Sequence, residues 1–149
     1  MPSKTNVLSP VLLGADHAGF ALKESIRKQL LRYGHDICDF TPERVEGDDY
    51  PIVGREIGRA TAKGHGMGIV VCGSGVGVAI AANRVRGARA VEGFDTKQVR
   101  LAREHNDANI LTLGGWNTSP KKAMELVDAF LKTRASKEAR HRRRVQALG

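Results

Sequence analysis

Met67-Gly68-Ile69-Val70-Val71-Cys72-Gly73-Ser74-Gly75-Val76-Gly77 decides the fold. A short, fully apolar run enters a turn of alternating glycines, and a small-residue segment (77–85) that reads as a helix follows at once. A strand apolar on every position is covered on both faces, the condition of a parallel sheet layered with helices. Working outward, the same pattern recurs. Further strands are predicted at Val11–Ala15, Asp36–Phe40, Ala88–Val91 and Asn109–Leu113. Between the first two, Leu22, Ile26 and Leu30 repeat at helical spacing and Gly34 closes the helix. Pro51 fits the first turn of the next helix, with Ile52, Val53, Ile57 and Ala60 as its expected buried face. A helix over Thr96–His105 follows the fourth strand. After the fifth, Ser119 caps a helix with Pro120 at its first position and Ala123, Leu126, Val127, Phe130 and Leu131 as its stripe. A last, basic helix is expected to start near Ser136. The expectation is one α/β domain over residues 1–149, a doubly wound, Rossmann-like five-stranded parallel sheet with a C-terminal basic helix. Residues 1–9 are expected to be flexible.

Composition bounds the function. The chain has 149 residues, 41% hydrophobic and 27% charged, an ordinary globular balance. No apolar run approaches the ~20 residues that cross a bilayer, and Met1–Pro10 does not read as a secretion signal. Two cysteines, Cys38 and Cys72, are too few for a disulfide scaffold or a cysteine-based zinc site, so a reducing cytoplasm is the expected setting. The charge is lopsided. Residues 132–149 carry seven lysines and arginines against Glu138, a net +6 of the chain's +8. That asymmetry suits a phosphate clamp, a nucleic-acid tail or a solvated basic helix.

In doubly wound sheets ligands sit beyond the carboxyl ends of the strands. Those positions hold Asp16-His17 after the first strand, Cys72 to Gly77 after the third and Gly114-Gly115-Trp116-Asn117 after the fifth, with His105-Asn106-Asp107 just before the fifth. One crevice is expected to collect them. The glycine turn either packs tightly or turns its N–H groups on an oxyanion at a helix N-terminus. It lacks the Gly-Lys-Ser/Thr ending of a phosphate-binding P-loop. The dinucleotide fingerprint fails at its third glycine, which is Val78, although Glu92 ends the next strand where a ribose ligand would lie. Cys72 is either a small core hydrophobe or a thiolate stabilised by helix-terminal N–H groups. A thiolate can take a proton from a carbon beside a carbonyl while the turn holds the enediolate. His17 and His105 read equally as turn or helix-end residues, and Asp16 as a helix cap.

Several motifs together resemble the ribose-5-phosphate isomerase type B family, with its galactose- and allose-6-phosphate isomerase relatives. They are Gly-Ala-Asp-His-Ala-Gly-Phe at 14–20, Asp49-Tyr50-Pro51, Cys-Gly-Ser-Gly-Val-Gly at 72–77, Ile80-Ala81-Ala82-Asn83, Arg103 through Asn109, and Arg140-His141-Arg142-Arg143-Arg144-Val145. The resemblance implies an aldose–ketose isomerase, first of all of D-ribose 5-phosphate and D-ribulose 5-phosphate, in the pentose phosphate pathway. It implies that Cys72 moves the C2 proton to C1 and that Ser74 shuttles a proton between the oxygens. Gly73, Gly75, Val76 and Gly77 would bind the enediolate. His105 would open the sugar ring with Asp16 and Tyr50 nearby, Asn106 would bind hydroxyls, and His17, Arg140 and Arg144 would bind phosphate. No metal or cofactor is implied, nor any membrane or nucleic-acid partner. A homodimer or dimer of dimers with sites at the subunit interface is implied. Two positions depart from the family pattern. Where an arginine usually follows the Gly-Gly pair, this chain has Trp116, which cannot supply a charged fork. Where some members carry a glutamate base after the turn, it has Val78-Ala79, which leaves Cys72 as the candidate base. The first departure opens the substrate to galactose 6-phosphate, allose 6-phosphate or a tetrose phosphate. A non-catalytic nucleotide- or nucleic-acid-binding domain is the alternative of another class.

Overall fold

A computed structural model describes residues 9–149. The flexibility expected of residues 1–9 therefore lies, Ser9 apart, outside the described residues. The elements run β1 (Val11–Ala15), α1 (Phe20–Arg32), β2 (Ile37–Asp39), α2 (Tyr50–Ala62), β3 (Gly68–Cys72), α3 (Val76–Asn83), β4 (Ala90–Glu92), α4 (Thr96–Asn106), β5 (Ile110–Gly114), α5 (Pro120–Lys132) and α6 (Ala139–Leu148). The strands form one parallel sheet in the order β2-β1-β3-β5-β4. The three central strands are buried at every position, as their unbroken apolar runs require.

Alternation along the strands sends side chains to two cores. Leu13, Ile69, Val71, Leu111 and Leu113 pack with Leu22, Ile26 and Leu30 of α1, Val99 of α4 and Leu126, Val127 and Phe130 of α5. Leu12, Val70, Cys72 and Ile110 point the other way, onto Val53 and Ile57 of α2 and Val78 and Ala82 of α3. Full burial of a Leu, Ile, Val or Phe side chain contributes ~1.5–3 kcal/mol, so these two layers hold the fold together. Fold class and strand set agree with the sequence reading, with strand ends displaced by one or two residues.

Two helix expectations need correction. Ile52 is 55% exposed rather than buried, because it lies in the first turn of α2, and the buried face begins one residue later at Val53. The basic helix starts at Ala139, not near Ser136. The Ser136 N–H is already spent on the Glu104 carbonyl (2.9 Å), and the chain stays extended through the N-cap Glu138. The strand order also fixes where a ligand can sit. From β1 the chain winds outward to β2 and from β3 it continues to the other side, so the switch point lies between the carboxyl ends of β1 and β3.

Candidate active site

At that switch point lies a cleft of about 550 Å³ lined by Asp16, His17, Tyr50, Cys72 and the turn after it, and Trp116. Local structure makes each position. Asp16 is buried, and its Oδ1 accepts the Gly19 N–H at 2.9 Å. It therefore braces the β1–α1 turn, with Gly19 as the N-cap, rather than capping α1 as the sequence suggested. Cys72 is 3% exposed, and its Sγ accepts the Gly75 N–H at 3.2 Å. Gly75 reaches that position with φ +81, which a side chain would oppose, and its carbonyl is held by the buried Thr112 hydroxyl at 2.7 Å. Ser74 Oγ accepts the Val76 N–H at 3.2 Å at the start of α3. The Cys72 sulfur thus stands against the glycine turn at the start of α3, on the lining of the cleft.

Two aromatic rings flank the turn. A Cβ on Gly73 would lie 2.6 Å from the Trp116 indole, and one on Gly77 would lie 2.6 Å from the Tyr50 ring. Glycine at these positions is thus what lets both rings stand against the turn. The loop after β5 is stitched to it by Gly115 N–H to Cys72 O (2.8 Å) and Trp116 N–H to Gly73 O (2.9 Å). Trp116 nonetheless keeps 78% of its surface exposed, at the mouth of the cleft.

The remaining expected site residues are elsewhere. In a parallel sheet, His105 and Asn106, which end α4 before β5 begins, stand at the amino edge, whereas Cys72 ends β3 at the carboxyl edge. Five strand residues at ~3.3 Å each separate the two edges by roughly 15 Å. The single crevice expected from sequence is therefore split within one chain. His105 lines a second cleft of about 390 Å³ with Glu104, Asp107, Ser136, His141 and Arg142. Its ring stacks on that of His141, centroids 4.3 Å apart and planes 8° apart. Arg103 builds this end: it donates to Thr133 O at 3.0 Å, to Ala108 O at 2.6 Å and to Asp107 Oδ1 at 2.9 Å. Asp107, held also by Arg89, takes the left-handed conformation (φ +46) that ends α4. Arg140 lies on α6, exposed and paired with Glu138 at 2.8 Å, and Arg144 one turn further on is exposed too.

Electrostatics differ between the clefts. The Asp48 carboxylate, hydrogen-bonded to His17, is the main reason that imidazole titrates above its ordinary value, with Asp16 adding to it. Burial holds His141 below the ordinary value, and His105 and Arg140 push the same way. Sequence reasoning missed Asp48 and His141 as site residues. The dinucleotide alternative loses support here, because β5 lies between the glycine-turn strand β3 and the Glu92-bearing β4.

A cysteine and a helix-terminal glycine turn at the switch point of a doubly wound sheet define a protein with its candidate ligand site at the strand ends. Residues 11–148 match the pattern of the ribose/galactose isomerase family, and the chain belongs to that family. It is 42% identical over 140 residues to ribose-5-phosphate isomerase B of Mycobacterium tuberculosis, covering 93% of this chain and 86% of that protein. Among solved structures it resembles the ribose 5-phosphate isomerase of Thermotoga maritima, with TM-score 0.89, 37% identity and coverage of 96% and 97% of the two chains. It also resembles ribose-5-phosphate isomerase B from Mycoplasma genitalium with bound ribulose-5-phosphate, with TM-score 0.88, 32% identity and coverage of 96% and 95%.

Proposed function

We propose that the chain is an aldose–ketose sugar-phosphate isomerase with D-ribose 5-phosphate and D-ribulose 5-phosphate as first substrates, acting in the cytoplasm as a homodimer or dimer of dimers. The observation that carries this reading is the Cys72 sulfur facing the Gly75 N–H at the switch-point cleft. In this mechanism the Cys72 thiolate removes the C2 proton of the open-chain aldose and returns it to C1. The glycine turn stabilises the enediolate oxygen, and Ser74 passes a proton between O1 and O2. Ring opening needs an acid–base pair, Asp16 from one chain and His105 from a second copy, because one chain keeps these groups at opposite edges of its sheet. The same second copy would bring Asn106 to the hydroxyls and Arg140 and Arg144 to the phosphate, with His17 opposite.

Subunit mixing tests this arrangement. Cys72→Ala and His105→Asn proteins are each expected to be inactive on ribose 5-phosphate. After denaturation and joint refolding, about a quarter of wild-type activity should return, since random two-fold pairing leaves one intact site in half the dimers. No recovery, with both variants refolded and paired, would refute the shared site. Trp116, in contact with Gly73 at the cleft mouth, favours a second reading in which another aldose phosphate is preferred. A panel of four-, five- and six-carbon aldose phosphates decides between them.

A further inference from the structure

Loop 41–49 is the longest connection in the chain, and its two ends are tied to the turn that carries Asp16 and His17. At its start Thr41 Oγ1 accepts the Ala15 N–H (2.9 Å). The Thr41 carbonyl accepts the fully buried Lys23 ammonium (2.8 Å), which also binds Asp39 (2.9 Å). Near its end, Asp48 Oδ1 is the partner of both the His17 main-chain N–H (2.7 Å) and the His17 ring nitrogen Nδ1 (2.9 Å). With Nδ1 committed to the carboxylate, Nε2 is the nitrogen left to meet a ligand.

Among the described residues that line the cleft none is a lysine or an arginine, and His17 alone of them can become a cation. The other titratable groups facing it are Asp16, Asp48, Asp49, Tyr50 and Cys72. A phosphate entering this half of the site meets three carboxylates and needs a positive counterpart, and neutral imidazole does not provide one. Trp116, which lines the same cleft, adds no charge to it.

We propose that Asp48 is a positioning residue that holds His17 as an imidazolium with Nε2–H turned to the substrate phosphate, so that this half of the site contributes to phosphate affinity through a histidine and does so in a pH-dependent way. The inference rests on the isomerase reading and deepens it. Asp48 touches no reacting atom; it acts through His17 alone. The raised titration of His17 agrees with the geometry, since the carboxylate favours the protonated ring.

The test follows KM, kcat and inhibition by inorganic phosphate from pH 6 to pH 9 in wild type and Asp48→Asn, with the His17 ring titrated by NMR. In wild type, KM and the phosphate inhibition constant should stay low until pH passes the His17 titration point and then rise. In Asp48→Asn that rise should move to lower pH together with the NMR titration. At a pH between the two His17 titration points KM should increase roughly tenfold, the usual order for loss of a charge-assisted contact, and kcat should fall far less. Coincident pH profiles of the two proteins would overturn the proposal, and so would a KM increase of equal size at every pH. The NMR arm separates the two readings. If the wild type isomerises no sugar phosphate, the isomerase reading fails, while phosphate-induced shifts of a His17 that titrates high would still uphold the Asp48–His17 pair.

Discussion

The two histidine ends of the sheet are opposites. At the carboxyl edge His17 faces carboxylates and is favoured as a cation. At the amino edge His141 is buried against another imidazole, among arginines, and is favoured as a neutral ring. One edge gathers negative charge and a thiol, the other gathers guanidinium groups and a stacked imidazole pair. Each is the electrostatic complement of the other, and parallel strands keep them apart within one chain. The lesson is that one chain does not bring all the expected site residues together, although each edge is internally well built. In the proposed assembly the cationic edge of one copy completes the acidic edge of another.

The largest effect expected from breaking this division is at the thiol. Cys72→Ala should leave the fold intact and lower turnover at least ~10²-fold, because the proposed proton-transfer base is lost while the strand end loses one sulfur. Circular dichroism and steady-state kinetics check both halves, and near-normal turnover would remove Cys72 as base. Next comes the cationic edge. Arg140→Ala or Arg144→Ala should each raise KM for the sugar phosphate about tenfold to a hundredfold, as expected for a charge-assisted hydrogen bond of roughly 1.5–3 kcal/mol. Unchanged KM in both would return α6 to the role of a solvated or nucleic-acid-facing helix.

The smallest effect is in stability against pH, and its sign differs between the edges. His17 titrates high in the folded chain, so its contribution is complete below the unfolded value of 6.5 and is lost as pH rises through the folded value. His141 titrates low, so the unfolded chain takes up the proton first and stability falls as pH drops through 6.5. Urea midpoints should show a shallower loss below pH 6.5 in His141→Phe than in wild type. A parallel pair of curves would show that His141 carries no such penalty.

The distribution of apolar residues made the fold readable. Ile69, Val70 and Val71 announce a strand covered on both faces, and Leu22, Ile26 and Leu30 announce the helix that covers one of them. Cys72 and its glycine turn were readable because strand and turn are contiguous in sequence. The Asp48–His17 pair was not, since it joins residues 31 apart and one polar loop residue looks like another. Lys23 was hidden for a similar reason. It sits beside Leu22 as an ordinary polar helix residue, yet it is fully buried, its ammonium held by Glu24, by Asp39 at the end of β2 and by the Thr41 carbonyl just beyond it. His105 was recognised by motif, but within one chain it stands at the opposite sheet edge from Cys72. Motifs carry no information on which edge of the sheet a residue occupies, whereas chain direction through a parallel sheet does.

Trp116 is the only tryptophan in the chain, and it stands at the mouth of the cleft with its indole largely in water. Its fluorescence is therefore that of a single chromophore reporting from a single place. Emission from a solvated indole shifts to shorter wavelength and changes in yield when the ring is covered, so the native protein carries an optical reporter of whatever closes over its glycine turn. Titration with a sugar phosphate, or dilution of the protein alone, would then be followed without attaching a dye.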